Sequence, residues 1–213
     1  MNEGSYMEKT KRKEMEFQLR RSEILKQSER IFAAKGFHNS TMAEIADASG
    51  FAIGTLYQFF EGKDNLFTTM ISEKLDMMYL EIREAVTGSE KTMDKIENLV
   101  RSHFHFVENN VDICNLLIRG EGMTLSMGNT VLRDKIIADY VSHIDFIEDI
   151  MHRGIEMKSL KVMESRIMAL AILGIIRSFF YDWMLSKQET PLSDKIDSVL
   201  DIFLKGVKSE VTG

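Results

Sequence analysis

The chain has 213 residues, 44% of them hydrophobic, with one proline, one cysteine and a formal net charge of −6 at pH 7. That length allows one large domain or two small ones with a sizeable core. Long stretches free of Gly and Pro exclude a turn-rich all-β architecture and point to an all-α chain, while a single Cys114 excludes an internal disulfide framework and, with a polar start lacking a secretory leader pattern, suits a reducing cytoplasm.

Read as a sum, the acidic charge argues against nucleic acid, because phosphate neutralisation supplies most non-specific affinity. Its distribution argues the other way. Residues 1–63 carry 10 Lys/Arg against 9 Asp/Glu, whereas residues 64–213 carry 17 against 24. Residues 1–19 are expected to form a flexible basic arm in which Lys9, Lys11, Arg12 and Lys13 are opposed nearby by Glu14 and Glu16, and a solvated, frayed tail is the plainer reading of the same charges.

The first convincing helix spans residues 16–35, where Ile24, Leu25, Ser28, Ile31 and Phe32 recur at helical spacing and Gly36 provides the stop. Thr41 and Glu44 then have the spacing of a capping box, which starts a helix at Met42. That helix is short, because Ser49-Gly50 follow after two turns. Ile53, Leu56, Tyr57 and Phe60 lie on a second short helix, and Gly62 separates it from a long one opened by Lys63-Asp64-Asn65-Leu66. With small Ala46 and Gly50 at the turn, this is the pattern of a helix-turn-helix whose second helix can enter a major groove.

Behind it the spacing predicts helices over residues 64–86, 92–109, 129–156, 162–186 and 191–209, the last with Thr190 as cap and Pro191 at its first position. Residues 111–128, with Gly120, Gly122 and Gly128, leave room for one or two short helices. The most apolar run, residues 168–185, is interrupted by Arg177 and Asp182 and reads as a buried helix rather than a membrane span.

The stretch Gly50-Phe51-Ala52-Ile53-Gly54-Thr55-Leu56-Tyr57-Gln58-Phe59-Phe60-Glu61-Gly62-Lys63-Asp64-Asn65-Leu66 closely resembles the recognition helix and following helix start of the TetR family of repressors, and Gly36-Phe37, Thr41, Ile45-Ala46 and Ser49-Gly50 stand at that family's spacings. The likeness covers roughly residues 20–67. It implies an N-terminal three-helix helix-turn-helix DNA-binding domain over residues 20–67 and a larger helical ligand-binding and dimerisation domain over residues 68–213. It further implies that Thr41, Thr55, Tyr57 and Lys63 face DNA, mostly at phosphates, and that Gly54 permits close approach to the groove. The residue chemistry agrees, since hydroxyls and an ammonium are the groups that donate to phosphate oxygens. A cation in the first turn of a helix opposes the helix dipole unless a phosphate binds there, so Lys63→Ala is expected to weaken binding to all sequences and lower the salt slope by about one. Ala52 and Ile53 depart from the family, which often has a capping serine and a polar residue at these places. Gln58 can pair with adenine, and Ala52 or Ile53 can touch a thymine methyl. Phe60 reads as core, and Tyr57 as an outward hydroxyl on a supporting ring.

The resemblance also implies a homodimeric repressor on a palindromic double-stranded DNA operator, released by a small hydrophobic effector, with activation in place of repression as the other outcome left open. Leu170, Leu173, Gly174, Phe180 and Met184, with Leu200, Phe203 and Leu204, are the expected dimer surface. A pocket between the rear helices has Phe104, Arg119, Met123, Phe146, Met151, Arg177 and Tyr181 as candidate lining. Arg177 either meets a ligand anion or pairs internally, with Asp182 or an acid on another helix. His103 and His105 point in different directions on a helix and Cys114 is remote, so no metal is expected. Gly120-Glu121-Gly122 is not a phosphate loop, no catalytic triad stands out, and neither an enzyme nor a cofactor is expected. The rival reading is a helical protein–protein adaptor without DNA binding, in which Thr41, Tyr57 and Lys63 would share no purpose.

Overall fold

The computed structural model describes residues 3–118, 130–186 and 189–207, the side chains of residues 3–7 and 130–132 excepted. Its elements are all helical: α1 (Glu3–Lys35), α2 (Met42–Ser49), α3 (Ile53–Phe59), α4 (Lys63–Thr87), α5 (Thr92–Asn109), α6 (Val111–Ile118), α7 (Thr130–Glu156), α8 (Ser165–Leu185), a 3₁₀ turn (Leu192–Lys195) and α9 (Ile196–Val207).

Of the flexible arm expected at residues 1–19, residues 3–19 are instead the first half of α1, which begins at Glu3 rather than near residue 16. The same residues that read as a polar tail are strong helix formers. Pairs one turn apart reinforce them: Gln18 donates to Glu14 Oε1 at 2.8 Å, and Arg20 pairs with Glu16. Without an apolar stripe before Ile24, sequence periodicity had nothing to detect there.

Two apolar cores share α4. The front core joins Ile24 and Phe32 of α1, Ile45 and Ala46 of α2, Leu56 of α3 and the loop residues Phe37 and Phe60 to Leu66, Phe67, Met70 and Ile71 of α4. The rear core joins Ile82 and Val86 of the same helix to buried residues of α5, α7, α8 and α9. Met78 of α4, Val107 of α5 and Trp183 of α8 touch both cores, and the indole N–H of Trp183 donates to the Thr190 carbonyl at 2.8 Å.

Within residues 111–128, α6 supplies one short helix; Arg119, Met123 and the Gly120–Gly122 stretch lie outside the described residues. The turn between α7 and α8 needs glycine at 154, where an added Cβ would stand 2.7 Å from both Leu160 Cδ1 and Thr92 Cγ2. Pro191 precedes the 3₁₀ turn rather than opening a long helix, so α9 starts at Ile196. Among the described helices α8 alone is long and apolar enough to cross a bilayer, with a mean hydropathy of 1.5. Its Met168, Ala169, Ile172, Leu173 and Ile176 are nevertheless buried in the rear core, so it serves here as a core helix.

Candidate nucleic-acid interface and rear cavity

The capping box forms as the spacing predicts. Thr41 Oγ1 accepts from the Glu44 N–H at 3.2 Å while Glu44 Oε2 accepts from the Thr41 N–H at 2.9 Å. The Thr41 hydroxyl also donates to Glu44 Oε2 at 3.1 Å, and Lys35 pairs with Glu44 Oε1 at 2.6 Å. These partners, the Lys35 ammonium foremost, hold the Glu44 carboxyl below the usual carboxylate range. α2 ends at Gly50, whose φ of 73° is the left-handed conformation that glycine adopts without a Cβ penalty.

That turn presents α3 outward. Leu56 is fully buried and Phe60, just past the helix, is 3% exposed, so these two anchor it to the front core; burial of each side chain contributes on the order of 1.5–3 kcal/mol. The opposite face is bare: Ile53 is 45% and Tyr57 54% exposed, and Ala52, Gly54 and Gln58 are exposed too. Thr55 is half-buried. Ala52 caps the helix without a side-chain bond, as expected of an alanine at that place. A Cβ on Gly54 would meet nothing within 4 Å. Nothing inside the free chain therefore calls for glycine there, and an outside surface that comes close would.

Lys63 corrects an expectation. Its ammonium is not simply offered to solvent: Nζ donates to the Phe37 and Ser40 carbonyls, both at 2.8 Å, and sits 4.4 Å from the centre of the Phe37 ring. The side chain ties the loop between α1 and α2 to the start of α4. Carbonyls of the loop beyond α1, and the face of the Phe37 ring, supply the negative charge that was expected at this helix start from a phosphate.

Behind the reading head lies a cavity of about 210 Å³. Leu75, Met78 and Tyr79 of α4 form one wall, His103, Phe106 and Val107 of α5 another, and Cys114, Leu117, Tyr140, His143, Leu173, Ile176, Arg177 and Phe180 complete the described lining. Of the sequence-proposed lining residues, Arg177 is here. It is exposed, and among the described residues no ion pair with Asp182 or any other acid is formed. Phe104 and Met151 are instead fully buried in the rear core, because both lie on the inward stripe of their helices. Phe146 stacks on the His143 ring at 6.5 Å and lies under the Arg83 guanidinium at 4.4 Å, and Tyr181 points out of the body with 43% exposure.

Two imidazoles meet in this cavity wall. His103 Nε2 and His143 Nε2 are 3.1 Å apart, and His103 Nδ1 is 2.6 Å from the Leu99 carbonyl. Burial pushes His103 down to about 4 and His143 down to about 3, so both rings are neutral at physiological pH. Burial likewise pushes the Tyr79 hydroxyl and the Cys114 thiol up to about 12. Apart from the rim arginine, the cavity thus offers apolar carbon and uncharged polar atoms.

The family profile described as bacterial regulatory proteins, tetR family, matches residues 24–70, and the one described as YsiA-like protein, C-terminal region, matches residues 71–206. The chain belongs to the tetR family. Like the family's other members it is a DNA-binding transcriptional regulator with an N-terminal helix-turn-helix. The fatty acid metabolism regulator protein of Bacillus subtilis is 23% identical over 88% of this chain and 95% of its own. In structure, the fatty acid degradation regulator FadR from Bacillus halodurans superposes with a TM-score of 0.75 at 21% identity, covering 88% of this chain and 95% of the other. FadR from Bacillus subtilis, solved in complex with stearoyl-CoA, gives a TM-score of 0.74 at 22% identity, covering 87% and 98%. None of these relatives favours the adaptor alternative.

In this tetR-family regulator the histidine pair is the feature that sequence reasoning missed. Along the chain the histidine nearest His103 is His105, two residues on, whereas the partner of His103 in space stands on α7, forty residues away. Helical phase predicts that His103 and His143 each face inward, but the meeting of two inward faces is a property of packing. The only local signal was the four-residue step from Leu99 to His103.

Proposed function

We propose that the protein is a homodimeric repressor that sets two copies of α3 into successive major grooves of an approximately palindromic operator and lets go when an apolar effector enters the rear cavity. The observation that carries this reading is the double duty of α4. Its residues 66–71 pack beneath α1, α2 and α3, and its residues 75–79 wall the cavity. At about 210 Å³ the cavity is smaller than the roughly 300–1,000 Å³ of sites that enclose drug-sized ligands. A long chain must displace the wall to enter, and α4 transmits that displacement to the reading head. Ligand and DNA then favour different arrangements of one helix, which is all that coupling requires.

In this reading Tyr57, Thr55 and the exposed rim of α3 grip phosphates, while Gln58, Ile53 and Ala52 face base edges. Dimerisation is supported by an apolar stripe on the side of α8 turned away from the core. Ile167, Leu170, Tyr181 and Leu185 are 52%, 46%, 43% and 78% exposed, and a Cβ on Gly174 between them would meet nothing within 4 Å. This corrects the expected surface by part of a helical turn, since Leu173 and Met184 point into the cores and Phe180 into the cavity. In this reading the protein works in the cytoplasm, where its operator would lie.

The test is operator binding by fluorescence anisotropy on the chain's own upstream DNA across a salt series, with and without stearoyl-CoA, the compound named for the Bacillus subtilis relative. Salt-dependent binding that weakens with the acyl thioester supports the reading. Equal affinities in its presence and absence would remove the thioester as effector, and failure to bind any upstream DNA would remove the operator claim.

A further inference from the structure

The two imidazoles in the cavity wall have fixed roles. The Leu99 carbonyl can only accept, so His103 Nδ1 carries the proton and donates to it at 2.6 Å. In a neutral ring His103 Nε2 is then the acceptor, and the atom facing it at 3.1 Å, His143 Nε2, must donate. His143 therefore keeps a bare lone pair on Nδ1. No described residue donates to that atom. His143 is itself part of the cavity lining, so the open space beside this otherwise buried ring is the cavity. The ring is flanked by Tyr79 at 4.9 Å and by Phe146 at 6.5 Å between ring centres.

A fixed acceptor in an apolar wall selects among ligands. A hydrocarbon leaves it unsatisfied, at the desolvation cost of an unpaired polar atom. A carboxylate offers only lone pairs and would face another lone pair. An alkylammonium could donate, but its charge would enter an apolar cavity lined by Arg177, beside a ring that already feels the Arg83 cation. An amide N–H could donate too, but it brings a carbonyl that the apolar wall would leave unpaired, so the neutral donor that fits best is a hydroxyl.

We propose that the cavity recognises a hydroxyl group on an otherwise apolar effector, which donates to His143 Nδ1. This rests on the reading of the cavity as the effector site and names the chemistry that site selects. His103 acts as a positioning residue, because its Leu99-anchored tautomer forces the orientation and protonation of His143. On an acyl chain the recognised group would be a chain hydroxyl, set within the cavity while a charged head remained toward the Arg177 rim.

The test compares 1-octanol with its isomer 1-methoxyheptane, which has the same heavy atoms and can accept but not donate. Calorimetric titration of the full chain should show the alcohol binding about tenfold more tightly. His143→Phe should keep affinity for the ether and lose the preference. In the unsubstituted protein the ¹⁵N signal of His143 Nδ1 should move upfield with octanol and stay put with the ether, a readout that does not depend on the variant folding. Equal affinities for the two compounds, a preference that survives His143→Phe, or an unmoved Nδ1 signal would each overturn the proposal, as would failure of both compounds to bind. If the alcohol wins but no apolar compound alters operator affinity, the hydroxyl site stands and the release reading falls. If apolar compounds alter operator affinity without preference for the alcohol, the reverse holds.

Discussion

At position 54 an added methyl group would meet open space, and alanine propagates a helix better than glycine by about 0.5–1 kcal/mol. Gly54→Ala should therefore leave the protein as stable or slightly more so, yet reduce operator affinity at least tenfold; a melting curve and an anisotropy titration on the same sample separate the two effects. Lys63→Ala should do the opposite of what its sequence position implies. Two charge-assisted bonds to the Phe37 and Ser40 carbonyls are lost, which costs about 2 kcal/mol of stability, while the slope of log affinity against log salt stays within half a unit of the native value. A slope reduced by a full unit would return the residue to the phosphate. Such residue roles divide by their cause. Thr41 with Glu44 was legible because a capping box is local, whereas the outward Tyr57 was implied by the family motif alone, since helical spacing groups it with Leu56 and Phe60. The destination of Lys63 was not, because its acceptors are carbonyls of a loop more than twenty residues back.

Between elements, α1 and α4 are fastened by two ion pairs. Arg21 forms a bidentate pair with Glu73, and Lys74 lies 3.0 Å from Glu29 Oε2 while also donating to Asn110 Oδ1 at 3.1 Å, beyond the end of α5. Lys74 is thus where the reading head, the shared helix and the cavity wall join. Lys74→Met keeps the length of the stem but strands a largely shielded Glu29 carboxylate, at about 1 kcal/mol, and should shrink the effector-induced change in operator affinity more than the affinity itself. Unaltered coupling would show that α4 transmits without this joint. Helix number and order were mostly readable from caps, glycine stops and apolar periodicity. Where the elements begin was less so: α1 starts before any apolar stripe, and α9 starts after a 3₁₀ turn because Ser193 is held by Glu108 of α5, whose Oε1 accepts from its N–H at 2.9 Å. Both departures arise from contacts that no window of sequence contains.

For the molecule as a whole, the neutral imidazoles impose a direction on pH dependence. In the unfolded chain they titrate near 6.5, and in the fold near 4 and 3. Above pH 6.5 both states are neutral and the pair contributes nothing to pH dependence. As pH falls through 6.5 the unfolded state takes up protons that the fold refuses, so stability declines, by up to about 1.4 kcal/mol per unit for each ring. Thermal melts between pH 7.5 and 5 should show this decline in the native protein and a shallower one in His143→Phe; parallel curves would assign the acid sensitivity elsewhere. Leu170→Glu, placed on the bare stripe of α8, should yield a 24.5 kDa species in sedimentation with unchanged helicity and operator affinity lowered by orders of magnitude, because a single reading head then bears the whole contact. A dimer that survives this charge would place the interface elsewhere.

The one tryptophan of the chain, Trp183, stands where the front and rear cores meet, with its indole N–H tethered to the Thr190 carbonyl. An optical gauge is thus built into the seam. Any sliding of α4 against α8 alters the polarity around a lone fluorophore, so intrinsic emission reports the motion without a label, in real time and with DNA present.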